Sequence, residues 1–365
     1  MRVTKGVCSV LFACDLGQRI DLAACRALVA DATEVVSLAH RHRVPTWFQF
    51  DTPPLRVQQD APPIAVAGLA TESRVETVLY DFGAASVRYE LPFAGDLPEL
   101  AALSCRLTAD GVLGADAVRR MERLLDVIRP AVVQPRRDEL LEDYFIFQVL
   151  EREGDEGRVA DLPRRRGAEL AAILRSEVAP LSDQEIGEAL GSGCSFGPDD
   201  LTLIDWNAAL VFDRDADDVR AVLEFANVQL LELRFLDRQL DGALDRAWQV
   251  LERPSRRGPR WLPAPGAELH RIGRMQVDAA LLHERVSNAL KLVGDQFLAR
   301  VYGQAARRLR LQDWNASIAN KLGALESIYT KLRDRAATSR LELLEWIVIA
   351  LIALELLLPL LGVRH

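Results

Sequence analysis

Residues 341–363 read LELLEWIVIALIALELLLPLLGV, and how this stretch is read decides the architecture. From Trp346 to Val363 run eighteen residues, twelve of them Leu, Ile or Val, interrupted by Glu355 and by Pro359. At ~1.5 Å of rise per residue such a run approaches the ~30 Å hydrocarbon thickness of a bilayer. Each Leu, Ile or Val favours insertion by ~0.3 to 0.6 kcal/mol, against ~2.5 to 3.5 kcal/mol lost for one central charge. The expectation is a C-terminal transmembrane helix. Its membrane residues would be Trp346, Ile347, Val348, Ile349, Leu351, Ile352 and Leu354, with Glu355 turned toward another helix. The competing reading is a buried core helix or a seam between copies, which Glu342, Glu345 and Glu355 keep open.

The flanks set the orientation. Lys331, Arg333, Arg335 and Arg340 precede the run and only Arg364 and His365 follow it, so the positive-inside rule keeps the N-terminal side in the cytoplasm. The sequence therefore predicts a single-pass tail anchor in the cell's inner membrane, with the body in the cytoplasm.

Charge is distributed unevenly. Residues 253–340 hold 17 Lys and Arg against 7 Asp and Glu in a chain whose net charge is −8, so the basic part faces an acidic remainder. Arg256, Arg257, Arg260, Arg307, Arg308 and Arg310 are the candidates for binding an anionic surface, either anionic lipid, with the bilayer as partner, or RNA and the ribosome. The alternative is that acids of the same chain meet these charges.

Upstream, residues 1–150 read as an α+β domain. Val7 to Ala13 and Trp47 to Phe50 are strand-like around a helix starting near Asp21. VETVLYDFGAASVRYELPF from Val75 reads as a hairpin turning at Asp81, Phe82 and Gly83, where glycine supplies a positive φ. Helices are predicted over Leu97 to Leu107 and Asp116 to Val127, and a strand over Tyr144 to Leu150. Residues 151–213 follow as a charged loop over 151–167, then short helices Gly167 to Glu177 and Ser182 to Leu190, then one buried strand, Leu201 to Phe212. Ser182 with Glu185 three residues on is a capping-box pattern.

Residues 214–340 switch to a helical period. Val219, Val222, Ala226, Leu230, Leu233, Leu236 and Leu240 form one apolar stripe reaching about Leu251. After the linker RPSRRGPRWLPAPG, a helix with Ile272, Met275, Ala279, Leu282, Val286, Ala289 and Val293 at a and d positions is expected. The stripe resumes at Ile318, Leu322, Leu325, Tyr329 and Leu332. The expected fold is thus an α+β N-terminal domain, then long antiparallel or coiled-coil-like helices, then the transmembrane helix.

The run RVSNALKLVGDQFLARVYGQAARRLRLQDWNASIANKLGALESIYTKL, followed by LEWIVIALIALE, resembles the C-terminal half of the family named for "required for meiotic nuclear division". YDFGAASVRYELPF at Tyr80 is similar to its aromatic-Asp-aromatic-Gly turn, although Arg88 and Tyr89 stand where many relatives carry an aromatic pair. The resemblance spans roughly residues 60–361. It implies a protein held in an inner membrane by a C-terminal helix. Eukaryotic members are associated with mitochondria and organellar translation, bacterial members have no assigned activity, and no catalytic residue carries over.

Chemistry-bearing motifs are sparse. Cys8, Cys14, Cys25, Cys105 and Cys194 form no CxxC pair and indicate neither zinc nor a disulfide framework. GSGCSFG at Gly191 to Gly197 follows a helix and precedes a strand, the reverse of a dinucleotide site, and reads as a turn. His40 and His42 lack further ligands, and Asp81 reads as a turn residue. Asp205, Trp206 and Asn207 are a polar insertion in an otherwise apolar strand. No cofactor, metal or catalytic residue is expected. The function read from the sequence is a non-catalytic, membrane-anchored scaffold or tether, possible partners including copies of itself. Two alternatives stand beside it: an enzyme using the α+β domain at a membrane surface, and a self-associating soluble oligomer whose last helix is buried between copies.

Overall fold

A computed structural model of the chain describes residues 1–31, 36–38, 48–49, 52–154, 157–252 and 296–360, with residues 273, 277, 280, 284, 291 and 292. They divide into two compact units, one of residues 1–235 and 282–315, the other of residues 236–281 and 316–365.

The first unit is built on a mixed sheet of nine strands among the described residues. In chain order these are β1 (Arg2–Asp15), β2 (Val36–Leu38), β3 (Leu55–Asp60), β4 (Arg74–Leu79), β5 (Ala84–Asp96), β6 (Glu142–Glu153), β7 (Gly193–Cys194), β8 (Leu201–Ile204) and β9 (Ala208–Phe212). Across the sheet they lie in the order β7-β8-β9-β6-β1-β5-β4-β3-β2. The first strand, β1, is central, with Cys8 opposite Leu91 on one side and Phe147 on the other. Neighbours are antiparallel except β6 and β9, which run parallel from Phe145↔Ala208 to Val149↔Phe212.

Strand alternation gives the sheet two different faces. Val10, Phe12, Tyr89, Leu91, Phe93, Phe145 and Phe147 point into an apolar core with α1 (Leu22–Asp31), α2 (Leu97–Ala109), α3 (Val112–Ile128) and α4 (Leu162–Arg175). Each large side chain so buried stabilises the fold by ~1.5 to 3 kcal/mol. The opposite face carries Ser9, Glu76, Ser86, Arg88 and Gln148, all buried. It is covered by the first part of α6 (Asp217–Glu252), which comes after α5 (Asp183–Leu190). Arg88 is the hub there, with its guanidinium 2.8 Å from Glu76, 3.0 Å from Glu90 and 3.4 Å from Glu224 of α6. Tyr80 stacks on Phe82 at 5.2 Å and meets Phe225 of α6 at 6.1 Å.

Local chemistry explains the element ends. Asp96 and Glu99 form a reciprocal capping box that starts α2, with Pro98 in its first turn. Ser182 Oγ accepts from the Glu185 N–H at the start of α5, where the pattern placed it. Gly83 has φ +114°, and a Cβ there would lie 1.9 Å from the Gly17 carbonyl oxygen, so the hairpin turn requires glycine.

Three expectations are revised. Leu201 to Phe212 is not one strand but an antiparallel hairpin, β8 and β9, because Asp205, Trp206 and Asn207 form its turn and the Asp205 N–H donates to the Ala208 carbonyl at 2.8 Å. The helix expected from Gly167 is preceded by a turn of helix from Leu162 with Pro163 in it, and a non-helical Arg166 marks the kink between the two in α4. The third concerns the C-terminus. Residues 341–360 are the continuation of a single 50-residue helix, α8 (Leu311–Leu360), which follows α7 (Gln296–Arg308).

Among the described residues no helix is long and apolar enough to cross a membrane. This overturns the transmembrane helix, the single-pass tail anchor and the inner-membrane placement. The physical reason is continuity. Lys321, Glu326, Lys331 and Asp334 alternate along α8 with the buried Ile318, Leu325 and Leu332, so its apolar character is there a stripe on one side, not a sleeve around it. Weighing Leu, Ile and Val in an isolated window ignored this. The second unit holds this helix from residue 316 on and the later part of α6, where Leu236, Leu240, Ala243 and Ala247 are buried and Lys321 Nζ bridges Asp237 at 2.7 Å and Asp241 at 2.6 Å.

Candidate functional site

Two surfaces of the molecule have chemistry that folding alone does not use. The first is on α8. Val348, Ile349, Leu351 and Ile352 are 53%, 54%, 60% and 52% exposed. At about 100° per residue these four project into one arc of about 160°. Trp346, Ile347, Leu354 and Glu355 belong to the same helix, and their side chains lie outside the described residues.

The second surface is a cleft of about 810 Å³ in the first unit. The parallel strands β6 and β9 both deliver their carboxyl ends to it, through Val149 to Arg152 and through Phe212. The first turns of α6 and α7 close it, through Asp218 and Val219 and through Phe297 and Leu298. Val149, Val159, Phe212, Val219 and Leu298 are buried and form its apolar interior. Charge sits around them in the form of Glu151, Asp199, Asp200, Asp213, Asp215 and Asp218, against Arg152 and Arg214. Two of these carboxylates brace loops: Asp200 accepts from the Phe196 N–H at 2.7 Å and from the Gly197 N–H, and Asp213 from the Asp215 N–H at 2.9 Å. At the rim Phe196 is 81% exposed, its ring edge-on to Phe297 at 5.9 Å, and the Arg300 guanidinium lies 5.8 Å from the Phe297 centroid. Sequence reasoning missed this cleft. Its trace is the pair of acid-rich loops FGPDD and DRDADD, each beside a strand end.

Of the basic residues expected to meet an anion, the structure describes Arg307, Arg308 and Arg310. Arg256, Arg257 and Arg260 lie outside the described residues, as do His40 and His42. Arg307 is exposed at the end of α7. Arg308 instead turns inward, its Nε donating to Asp205 Oδ1, and Arg310 pairs with Asp313 at 2.6 Å. The polar insertion is the structural counterpart. Asp205 is fully buried, with Arg175 of α4 on its other oxygen at 2.9 Å, and its carbonyl accepts from the Tyr144 hydroxyl at 2.9 Å. The Asn207 amide donates to Ser176 Oγ at 3.0 Å, completing a knot of α4, the β8–β9 turn and α7.

A further pair of acids is buried against the sheet. Asp15 accepts from Arg136 at 2.7 and 3.1 Å and from the Gly17 N–H at 2.8 Å, and Arg136 lies over the Phe235 ring at 4.7 Å. Burial pushes the Asp15 carboxyl up to about 6 despite Arg136. Burial, and then the negative charge of Asp15, push Glu232 of α6 up as well. Neither acid lines the cleft at the ends of β6 and β9. All five cysteines are free thiols, and among the described residues no cluster of His, Cys, Asp and Glu could hold a metal ion.

The architecture defines an α+β protein, a mixed sheet covered by helices on both faces, with a helical second unit. Residues 5–218 match the family described as "Uncharacterized protein MJ0711, N-terminal domain", more than half of the chain, and the protein belongs to that family. A relative is the uncharacterized protein MJ0711 of Methanocaldococcus jannaschii, 22% identical over 245 residues, or 66% of this chain and 72% of the relative. No solved structure matches. The matched span contains the sheet and most of the cleft, and ends before α7 and α8, on which the resemblance to the "required for meiotic nuclear division" family chiefly rests.

Proposed function

We propose that this protein is a self-associating scaffold whose last helix, α8, pairs with the same helix of a second copy. The observation that supports it is the apolar arc of Val348, Ile349, Leu351 and Ile352, each more than half exposed. Water-facing Leu and Ile in one contiguous arc mark an interaction surface rather than an ordinary helix exterior. Leu341, Leu344, Val348, Leu351 and Leu358 follow a and d spacing, with Glu355 at the remaining a position. A heptad stripe is self-complementary: its own copy offers the same knobs and the same holes, and a two-fold interface uses one patch twice. A polar residue at a single a position fixes register at a cost in stability, which gives Glu355 a role. The α+β body, joined to such a helix, would be brought into pairs.

The test is the mass of the full-length protein in solution, by sedimentation equilibrium at tens of micromolar. The expected result is a dimer or larger assembly that dissociates in the Val348→Glu/Leu351→Glu variant with the far-ultraviolet circular dichroism unchanged. A monomeric wild-type protein would overturn the reading, and so would a variant that kept the wild-type mass.

A further inference from the structure

We infer that the cleft at the ends of β6 and β9 binds an alkylammonium ligand, a methylene chain bearing one or more ammonium groups. Three independent features converge on that chemistry. The interior, from Val149, Phe212, Val219 and Leu298, is apolar and suits methylenes. Six carboxylates against the guanidiniums of Arg152 and Arg214, with Arg300 at the rim, leave an excess of negative charge, which selects cations. The rim is aromatic: Phe196 keeps 81% of its surface exposed, and its partner ring Phe297 already holds the Arg300 guanidinium 5.8 Å from its centroid. An aromatic face beside carboxylates is the arrangement that holds organic ammonium groups.

The other classes of ligand fit less well. A bare metal ion needs converging donors, and no group of three or more His, Cys, Asp or Glu among the described residues is arranged to hold one. An anion would meet the acids of both loops. A volume of about 810 Å³ accommodates a chain of ten or so heavy atoms with room for water. The same chemistry comes from two sources, a free polyamine or a lysine side chain of a peptide.

Calorimetric titration of the full-length protein at low salt, with spermidine in one arm and tetralysine in the other, tests the inference. Saturable one-to-one binding is expected in at least one arm, and the tighter arm identifies the source. Phe196→Ala should weaken it about 3- to 10-fold, the loss of one cation–π contact. Asp199→Asn/Asp215→Asn should weaken it comparably and flatten its dependence on salt. Both variants change exposed side chains, and an unchanged melting temperature verifies their folding; if Phe196→Ala misfolds, the double Asn variant carries the test. Absence of saturable binding of either probe up to about 10 mM would overturn the inference. Equal affinity in wild type and the folded variants would do so too, by showing only diffuse attraction to an acidic protein.

Discussion

Asp205 Oδ2 lies 2.9 Å from Arg175 Nε, and the same carboxylate, fully buried, accepts from Arg308 Nε through its other oxygen. One acid therefore ties the β8–β9 turn to α4 and to α7. Removing it leaves two half-buried guanidiniums without their shared counter-charge, which costs more than the pairs themselves contribute. Asp205→Ala should destabilise the protein by about 3 to 5 kcal/mol, read as a lowered midpoint in urea. A loss under about 1 kcal/mol would mean that the arginines find other partners.

The buried acids Asp15 and Glu232 make stability depend on pH in a particular direction. Both carboxyls are raised in the folded protein, Asp15 to about 6, because burial disfavours their charged forms. Raised carboxyls contribute stability that is fully present below about pH 4, their unfolded range, and is lost as pH climbs through the folded values, at about 1.4 kcal/mol per unit of displacement. Glu232→Gln should therefore be more stable than wild type at pH 8, with the difference shrinking toward pH 4. Parallel urea curves at the two pH values measure it, and a difference that grew on acidification would contradict the assignment.

Gly83 is fixed by geometry rather than by packing. With φ +114° and the Gly17 carbonyl oxygen where a Cβ would stand, Gly83→Ala combines backbone strain with a backbone clash. The expected loss is at least about 2 kcal/mol by thermal or urea unfolding. A neutral result would show that the turn relaxes to another conformation.

That glycine was legible in the sequence, and so was much of the first unit, for a shared reason. The β4–β5 hairpin, α2 and α5 carry their own punctuation, in Gly83, the Asp96 and Glu99 box and Ser182. What was not legible depends on partners distant in the chain. The turn at Asp205 reads as a strand until Arg175 and Arg308, 30 and 103 positions away, supply the charges that bury it. The cleft is likewise assembled from five separate segments, and none of its acids has a spacing that announces a site. At the C-terminus the error was one of scale, because an apolar window was judged apart from the 50-residue helix containing it. Arg88 lies in a strand with Ser86 and Glu90, and its purpose shows only once α6 folds over the sheet and brings Glu224 to it.

The ion cluster at Arg88 gives the most stringent test of that face. Burial draws the Glu76 carboxyl up, but Arg88 and Arg56 outweigh it and hold the group below the usual carboxylate range. Depressed carboxyls contribute stability that is present above the unfolded value and lost as pH falls through the folded one. Arg88→Met removes the cation and leaves Glu76, Glu90 and Glu224 around an apolar side chain. Breaking a buried pair on one side costs about 3 to 5 kcal/mol, so the variant should be strongly destabilised at pH 7. The stability that the wild type loses on acidification through the Glu76 carboxyl should be smaller in the variant, because Arg56 alone then holds that group against burial. Adding Glu224→Gln to Arg88→Met should restore part of the loss by removing one uncompensated charge, a coupling that a double-mutant cycle isolates. Additive losses, or a variant that loses as much stability as the wild type on acidification, would show that the cluster does not act as one electrostatic unit.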